Sequence, residues 1–549
     1  MQKSELFKNS LLIIPILFLL FSAPGALDFV FHFPDEKYYT DAVLQMMDKN
    51  ELFTPYSADG TPRFKKPIIT YWVLMASYEM FGVSRISSRI LFWLAGALLV
   101  LLTYLMAKSI SGDKKIATIA SVITAANPLV LMSASRSIPD ILLTLFLTVS
   151  AWGFLEILVS HKPRKIHYWM AYLGAALAFE TKGIPAVAFT CISILFLLYN
   201  PWKKKRINQI FEPVSLVVSV VVALSWFAIM FFQHGFTYLD SFFADQLGER
   251  VSSKITQVFT NTFLGIINLA AFLIPWIIII FSSPKLLKET IEKTSLQTKA
   301  VFGFIFSWVV LTLIMAGAVF KFYDRYLLPV IPLIAVFLGY TLVNYSARIK
   351  LIILNIFLFL NIFVLIISVL YAIFIQPHTV LVAGIIVSLF FISGKWIGLY
   401  KNSNHETVLA GAILLLFFAG HTLFYPLLMP NRGKQLVENL SKNGISESSK
   451  VYVYGNIRAA SNIRIHSKNT YHVVSMDTLY TLPCECEQHH FIVFSEKEKP
   501  KLDLENYFVT QGSEEYSSIS IEKLPVFLQQ PVAKLKESGN KYFIGKLKN

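Results

Sequence analysis

Charge is scarce in this chain of 549 residues: Asp, Glu, Lys and Arg together make up 15% of it, against 55% hydrophobic residues. With a mean hydropathy of +0.57, that balance excludes a soluble domain of ordinary composition. Cysteine is nearly absent. Of the three, Cys191 falls in an apolar run and Cys484 and Cys486 in the tail, so no disulfide framework holds the chain together. No glycine-rich phosphate loop occurs, which removes a soluble nucleotide as the expected ligand. Internal repeats are also missing, as are ionisable groups in the middle of apolar runs, and both absences argue against a repeat-built transporter.

Long apolar runs are what the chain has in quantity. About thirteen are long enough to cross a hydrocarbon core, near 11–27, 87–107, 116–134, 139–159, 167–180, 183–199, 212–232, 262–282, 300–319, 326–345, 350–375, 379–397 and 407–427. The first is read as a retained span, because no clear small-residue cleavage pattern precedes Asp28. The formal charge of +15 comes mostly from short basic turns, such as Lys114-Lys115, Lys162-Pro163-Arg164-Lys165 and Lys203-Lys204-Lys205-Arg206. All fall on one side if the N-terminus is cytoplasmic, so the positive-inside rule and span parity agree, and nucleic acid is not needed to explain the charge. A transmembrane part is therefore expected over 1–428, with its first outer loop at 28–88. From Val451 the tail shows strand-like runs, VYVYG and HHFIVF, beside the helix-like charged stretch Lys434–Lys442. A small α/β domain on the outer side is expected over 429–549.

The loop 28–88 is far more polar than its surroundings, and it breaks the charge rule with Lys37, Lys49, Arg63, Lys65 and Lys66 outside. An anionic ligand is the simplest reason for a basic excess there. Asp35 and Glu36 follow Pro34 where the chain leaves the membrane, and Tyr38-Tyr39 to Met47 has the pattern of an amphipathic interfacial helix. A carboxylate at that level can accept a proton from a hydroxyl nucleophile or hold a divalent metal; equally, Asp35 suits a helix N-cap with Glu36 in the first turn. Lys66 precedes the next span, where a snorkelling lysine is the plainer alternative. Arg136 and Asp140 flank Pro139 and could simply pair with each other. Lys182 sits between two short spans, and Arg250, Lys321 and Arg325 complete an outer set of cations. Carboxylates and cations with access to the bilayer suit a substrate with a phosphate head and a lipid tail, because cations neutralise a leaving phosphate while the tail stays in lipid. Cys484-Glu485-Cys486 with His489-His490 reads as an exposed segment rather than a metal cluster, since one short stretch rarely closes a tetrahedral site.

PDEKYYTDAVLQMM, GTPRFKKPIITYW and FGVSRISSRI resemble the first outer loop of the aminoarabinose lipid A transferases and the related protein O-mannosyltransferases, integral-membrane enzymes of the GT-C fold. SASRSIPDILLTLF, FETKGIPAVAF, QLGERV and FKFYDRYLLPVIPLIAVFLG follow in the same order, so the resemblance runs over about residues 10–345. It implies a bacterial inner-membrane enzyme that moves a sugar, with inversion, from undecaprenyl phosphate to an envelope acceptor at the periplasmic face. Lipid A is the first acceptor by this analogy and an amino sugar the donor group. A protein or polysaccharide hydroxyl is the alternative acceptor, and a lipid-linked-sugar flippase the alternative of another class. Carried onto this chain, the family's catalytic aspartates fall on Asp35 and Asp140, and its phosphate-binding lysines on Lys66 and Lys182. Arg63 and Arg136 join them as expected phosphate ligands, and Glu36, Tyr39, Arg250, Lys321 and Arg325 as expected substrate contacts. Arg63 stands where a tyrosine is common and Lys65 where a glutamate is frequent, which makes the pocket more basic.

Overall fold

The computed structural model describes residues 10–27, 34–58, 60–245, 254–374, 405–424, 432–446, 449–455, 457–476, 490–515 and 540–548. The expected span 379–397, Arg250, and the Cys484-Glu485-Cys486 segment with His489 lie outside them. The chain is a multi-pass helical membrane protein. Among the described residues eight helices are long and apolar enough to cross a membrane, nine if a bent pair is one span, and Leu11–Leu27 and Ile184–Tyr199 are shorter apolar helices. Two compact units interleave along the chain: Met1–Ala23, Phe64–Thr70 and Phe92–Ala419 form one, and Pro24–Arg63, Tyr71–Leu91 and Gly420–Asn549 the other.

The helices, in chain order, are α1 Ser10–Leu27, α2 Pro34–Asp48, α3 Ile69–Phe81, α4 Arg85–Ser111, α5 Lys114–Ala125, α6 Pro128–Ala134, α7 Pro139–Val159, α8 Lys165–Lys182, α9 Ile184–Tyr199, α10 Pro213–His234, α11 Phe236–Phe243, α12 Ile255–Phe272, α13 Trp276–Phe281, α14 Pro284–Lys293, α15 Leu296–Ala318, α16 Ile331–Leu342, α17 Ala347–Phe374 and α18 His405–Ala419. The expected span 116–134 is broken: α5 and α6 meet at 60°. The Asn127 carboxamide accepts the Leu129 N–H at 3.0 Å and Pro128 occupies the first helical turn, so a new helix begins there. The span expected at 262–282 starts earlier, at Ile255, and stops at Phe272.

The centre of the bundle is the antiparallel pair α7 and α8. Its closeness depends on glycine: a Cβ on Gly153 would stand 2.3 Å from the Ala171 backbone nitrogen, and one on Gly174 would stand 2.9 Å from that of Ser150. In lipid, where water does not drive helices together, such small residues let backbones approach. At the end of α8, Gly183 adopts φ +79° and its N–H closes on the Phe179 carbonyl at 2.7 Å. This stops the helix at Lys182, and Ile184-Pro185 starts α9 at once. The first turn of α7 therefore lies beside the last turn of α8.

In the second unit the tail builds a five-stranded sheet from β1 Lys450–Tyr454, β2 His472–Met476, β3 Phe491–Ser495, β4 Tyr507–Glu515 and β5 Asn540–Leu547, in the order β2-β1-β3-β5-β4. β1 pairs parallel with β2 and β3, while β5 runs antiparallel to β3 and β4. The helices α19 Arg432–Lys442 and α20 Ile457–His466 cover one face, and Leu436, Leu440, Ala460 and Ile463 pack there on Val451, Val453, Val473 and Ile544. The crossover β1–α20–β2 is what parallel pairing of those strands requires. Val451–Tyr454 of VYVYG and Phe491–Phe494 of HHFIVF thus lie in strands as expected.

Candidate active site

Four charged side chains from separate parts of the bundle meet at one cavity of about 220 Å³: Lys66, Asp140, Lys182 and Arg325. Asp140 stands in the first turn of α7 and is almost wholly buried. Lys182, from the last turn of α8, donates to its Oδ1 at 2.5 Å. Each charge also suits its helix end, an acid near an N-terminus and a base near a C-terminus. Arg325 comes from the 3₁₀ turn Asp324–Val330 and places its Nε 3.6 Å from the other carboxylate oxygen. Two tyrosines shape these cations: the Tyr326 ring lies 5.0 Å below Lys182 and the Tyr323 ring 4.5 Å from the Arg325 guanidinium. The walls are apolar, with Leu143, Ile184, Phe189, Met315 and Val319 among them. Among the described lining residues three cations stand with one carboxylate, a formal charge of +2 for these four groups, in largely apolar walls. Such a place favours an anion strongly, because few water dipoles compete for the charge.

Lys66 is buried and Lys65, its neighbour, is half-exposed with its Nζ 3.8 Å from Asp245. Phe64, just before them, packs on the rings of His234 and Tyr238, which ties the K-K-P segment to α10 and α11. Arg136 is half-buried in the non-helical link 135–138 between α6 and α7, and the ion-pair partners of Asp140 are Lys182 and Arg325. Lys321 lies over the Tyr323 ring at 5.4 Å.

Asp35, Glu36, Tyr39 and Arg63 belong to the other unit. α2 begins at Pro34, so Asp35 and Glu36 occupy its first turn, and Asp35 is half-buried. Glu36 is fully buried in a two-pronged pair with Arg89, whose Nε and Nη2 each donate at 2.8 Å. Tyr39 packs on the Tyr71 ring at 5.1 Å, and the Arg63 guanidinium lies 4.7 Å from the Tyr38 ring centre. Two groups escaped the sequence reading. Arg89 lies within FGVSRISSRI, where nothing in the spacing marks it as a partner of Glu36. Asp41 is buried against α20: Ser461 Oγ donates to its Oδ2 at 3.1 Å, and Arg464 Nη1 forms an ion pair with its Oδ1 at 3.5 Å, without a hydrogen bond between those two atoms. Burial pushes the Asp41 carboxyl above its usual range, against the pull of Arg464. Nothing in the spacing of residues 41 and 464 announces that contact. Among the described residues no three His, Cys, Asp or Glu side chains gather as a metal-holding group.

Comparison with known proteins bears on this geometry. A model of the dolichyl-phosphate-mannose-protein mannosyltransferase family matches residues 65–229, the stretch that supplies Lys66, Asp140 and Lys182. An uncharacterized protein of Aquifex aeolicus is 27% identical over 240 residues, 44% of this chain and 47% of that one. The undecaprenyl phosphate-alpha-4-amino-4-deoxy-L-arabinose arabinosyl transferase of Yersinia enterocolitica is 26% identical over 300 residues, 54% of this chain and 52% of its own. The chain thus spans about half the length of the curated relatives it matches. The crystal structure of ArnT from Cupriavidus metallidurans bound to undecaprenyl phosphate superposes with a TM-score of 0.71 over 97% of both chains at 14% identity, and its apo form does so at 15%. The chain has the ArnT fold, and in sequence it resembles the GT-C glycosyltransferases of the aminoarabinose transferase and protein mannosyltransferase kind.

Proposed function

We propose that this chain is a glycosyltransferase that takes a sugar from undecaprenyl phosphate and passes it, with inversion, to lipid A at the periplasmic face of the inner membrane, the sugar being an amino sugar. The observation that carries this reading is the cavity of Lys66, Lys182 and Arg325 around Asp140: a buried excess of positive charge in apolar walls fits a phosphate esterified to a hydrocarbon chain. In the reaction an acceptor oxygen attacks the anomeric carbon, the bond from that carbon to the phosphate oxygen breaks, and undecaprenyl phosphate leaves with the electron pair. Negative charge grows on the departing phosphate, and the three cations stabilise it more in the transition state than in the donor. Asp140 holds Lys182 and Arg325 at their stations. Asp35, by the resemblance of its loop, serves the acceptor. A hydroxyl acceptor needs it as base; a lipid A phosphate is already ionised, and Asp35 then orients it.

The mannosyltransferase match gives a second reading, transfer to a protein hydroxyl from the same kind of donor. Mass spectrometry of lipid A and of envelope glycoproteins, from a deletion strain carrying wild type or Asp35→Asn, separates them. The expected result is one sugar added to lipid A by wild type and none by the variant. Unmodified lipid A in the wild-type strain with a new glycopeptide would replace the first reading by the second; no change in either pool would overturn both.

A further inference from the structure

α2, the helix whose first turn bears Asp35, carries five charged residues, yet Tyr39, Thr40, Asp41, Ala42, Val43, Leu44 and Met46 are all buried. A polar helix enclosed this way must find partners for its charges or lose stability. It finds them at two points. Glu36 is locked by Arg89, and Asp41, about 7–8 Å further along the axis, is gripped by α20. Ser461 and Arg464 stand three apart on α20, so they share a face and each takes one oxygen of the same carboxylate. Arg464 is itself fixed, because its Nη2 donates to the Val473 carbonyl of β2 at 2.5 Å. α20 is fixed too, since Ala459, Ala460 and Ile463 are in the core of the sheet. The chain of contacts therefore runs from β2 through Arg464 and Asp41 to the helix of Asp35, between partners 420 residues apart in sequence.

We propose that the C-terminal α/β segment is a positioning element for Asp35, with Arg464 and Ser461 acting through Asp41 to set the rotation and height of the Asp35 helix within their shared unit. Neither residue touches substrate. A buried ion pair is a weak source of stability compared with apolar side chains of the same volume, but it fixes one register of one helix against another. The inference rests on the functional reading above, and its test separates the two.

Purified wild type and variants in nanodiscs are given undecaprenyl phosphate-linked aminoarabinose and lipid A. Arg464→Met is expected to lower kcat about 10- to 100-fold, the loss that a misplacement near 1 Å produces. Its affinity for undecaprenyl phosphate should stay within about twofold of wild type, because every cation of the phosphate cavity belongs to the other unit. Arg464→Lys should recover part of kcat, and adding Asp41→Asn to Arg464→Met should cost little more. Leu436→Ala, which opens the same domain core, should lower Tm while leaving kcat near wild type below the melting range. Wild-type kcat in Arg464→Met, or an equal loss of kcat in Leu436→Ala, would overturn the proposal. If Arg464→Met does not accumulate, Ser461→Ala takes its place with a loss of about two- to fivefold. If wild type itself transfers no sugar, the functional reading falls. The positioning claim is then decided by hydrogen exchange over Pro34–Asp48: faster exchange in Arg464→Met than in Leu436→Ala supports it, and equal exchange refutes it.

Discussion

Removing the amine of Lys182 should weaken the hold on a lipid phosphate by an amount that the cavity's charge predicts. Lys182→Met lowers the formal charge around the cavity from +2 to +1. A phosphate seated among these side chains lies about 5 Å from each charge, where a unit charge is worth roughly 3 kcal/mol at an effective dielectric near 20. Net of the water each group gives up, a charge-assisted bond contributes about 1.5–3 kcal/mol. The Kd for undecaprenyl phosphate should therefore rise about 10- to 150-fold. Asp140→Asn acts in the opposite sense. It removes the carboxylate that Lys182 and Arg325 now share, raises the charge to +3, and should tighten binding by up to about tenfold. The double variant returns to +2 and should bind much as wild type does. Binding titrations in nanodiscs give the order of Kd: Asp140→Asn lowest, wild type and the double variant together, Lys182→Met highest. The charged side chains are largely buried, so the order should survive a rise in salt. A double variant as weak as Lys182→Met alone would refute the reasoning, because the specific amine and not the net charge would then hold the phosphate. Thermal unfolding should be followed in parallel. Breaking a buried pair costs about 3–5 kcal/mol, less where Arg325 remains at 3.6 Å to hold the carboxylate.

Other predictions follow from single contacts. Gly153→Val forces α7 from α8, which carry Asp140 and Lys182. It should lower Tm by an overpacking penalty of about 1–3 kcal/mol and weaken undecaprenyl phosphate binding as well, whereas wild-type affinity would show that the pair is held elsewhere. Arg89→Met leaves Glu36 charged and buried and should cost about 3–5 kcal/mol, most of it recovered when Glu36→Gln is added, as thermal melts will show. The His466 imidazole is held down to about 4 by burial, with Arg85 and Lys434 adding to it. The folded protein therefore stays neutral there while the unfolded chain takes up a proton below about 6.5, so this stability is complete above that pH and is lost as pH falls towards 4. The loss reaches about 2 kcal/mol at pH 5, and His466→Gln should flatten the difference between melts at pH 7.5 and 5.

Much of the bundle was legible because hydropathy alone places apolar runs in lipid. The T-K-G turn was legible too, because a glycine after a periodic helix and a proline two residues on mark a stop and a restart. Three features were not. α3 is apolar but has only 13 residues, so a rule based on crossing length passes over it. The bend between α5 and α6 lies inside one continuous apolar run, and only the Asn127-Pro128 pair hints at it. Third, Arg136 and Asp140 look like neighbours at a spacing of four, but that spacing brings side chains together only on a continuous helix. Residues 135–138 are not helical, so α7 begins afresh at Pro139 and Asp140 turns to partners brought by other elements.

The partners of the buried carboxylates show why composition could suggest a phosphate site without drawing it. Asp140 and Glu36 each sit in the first turn of a helix, where sequence rules offer an N-terminal role that needs no tertiary partner, and Asp41 stands in the middle of α2. In the fold each is buried, and the helix end alone does not meet the cost of a desolvated charge. The cations that do so come from elements that lie close in space and far apart in sequence. Around Asp140 two cations meet one carboxylate with Lys66 beside them, all lining one cavity, and a lining so rich in cations suits an anion. Glu36 and Arg89 are sealed from solvent and meet through two hydrogen bonds at 2.8 Å, and neither lines that cavity. A cation-rich lining that faces a cavity, rather than the presence of acid and base, is what distinguishes a candidate binding site from a structural pair.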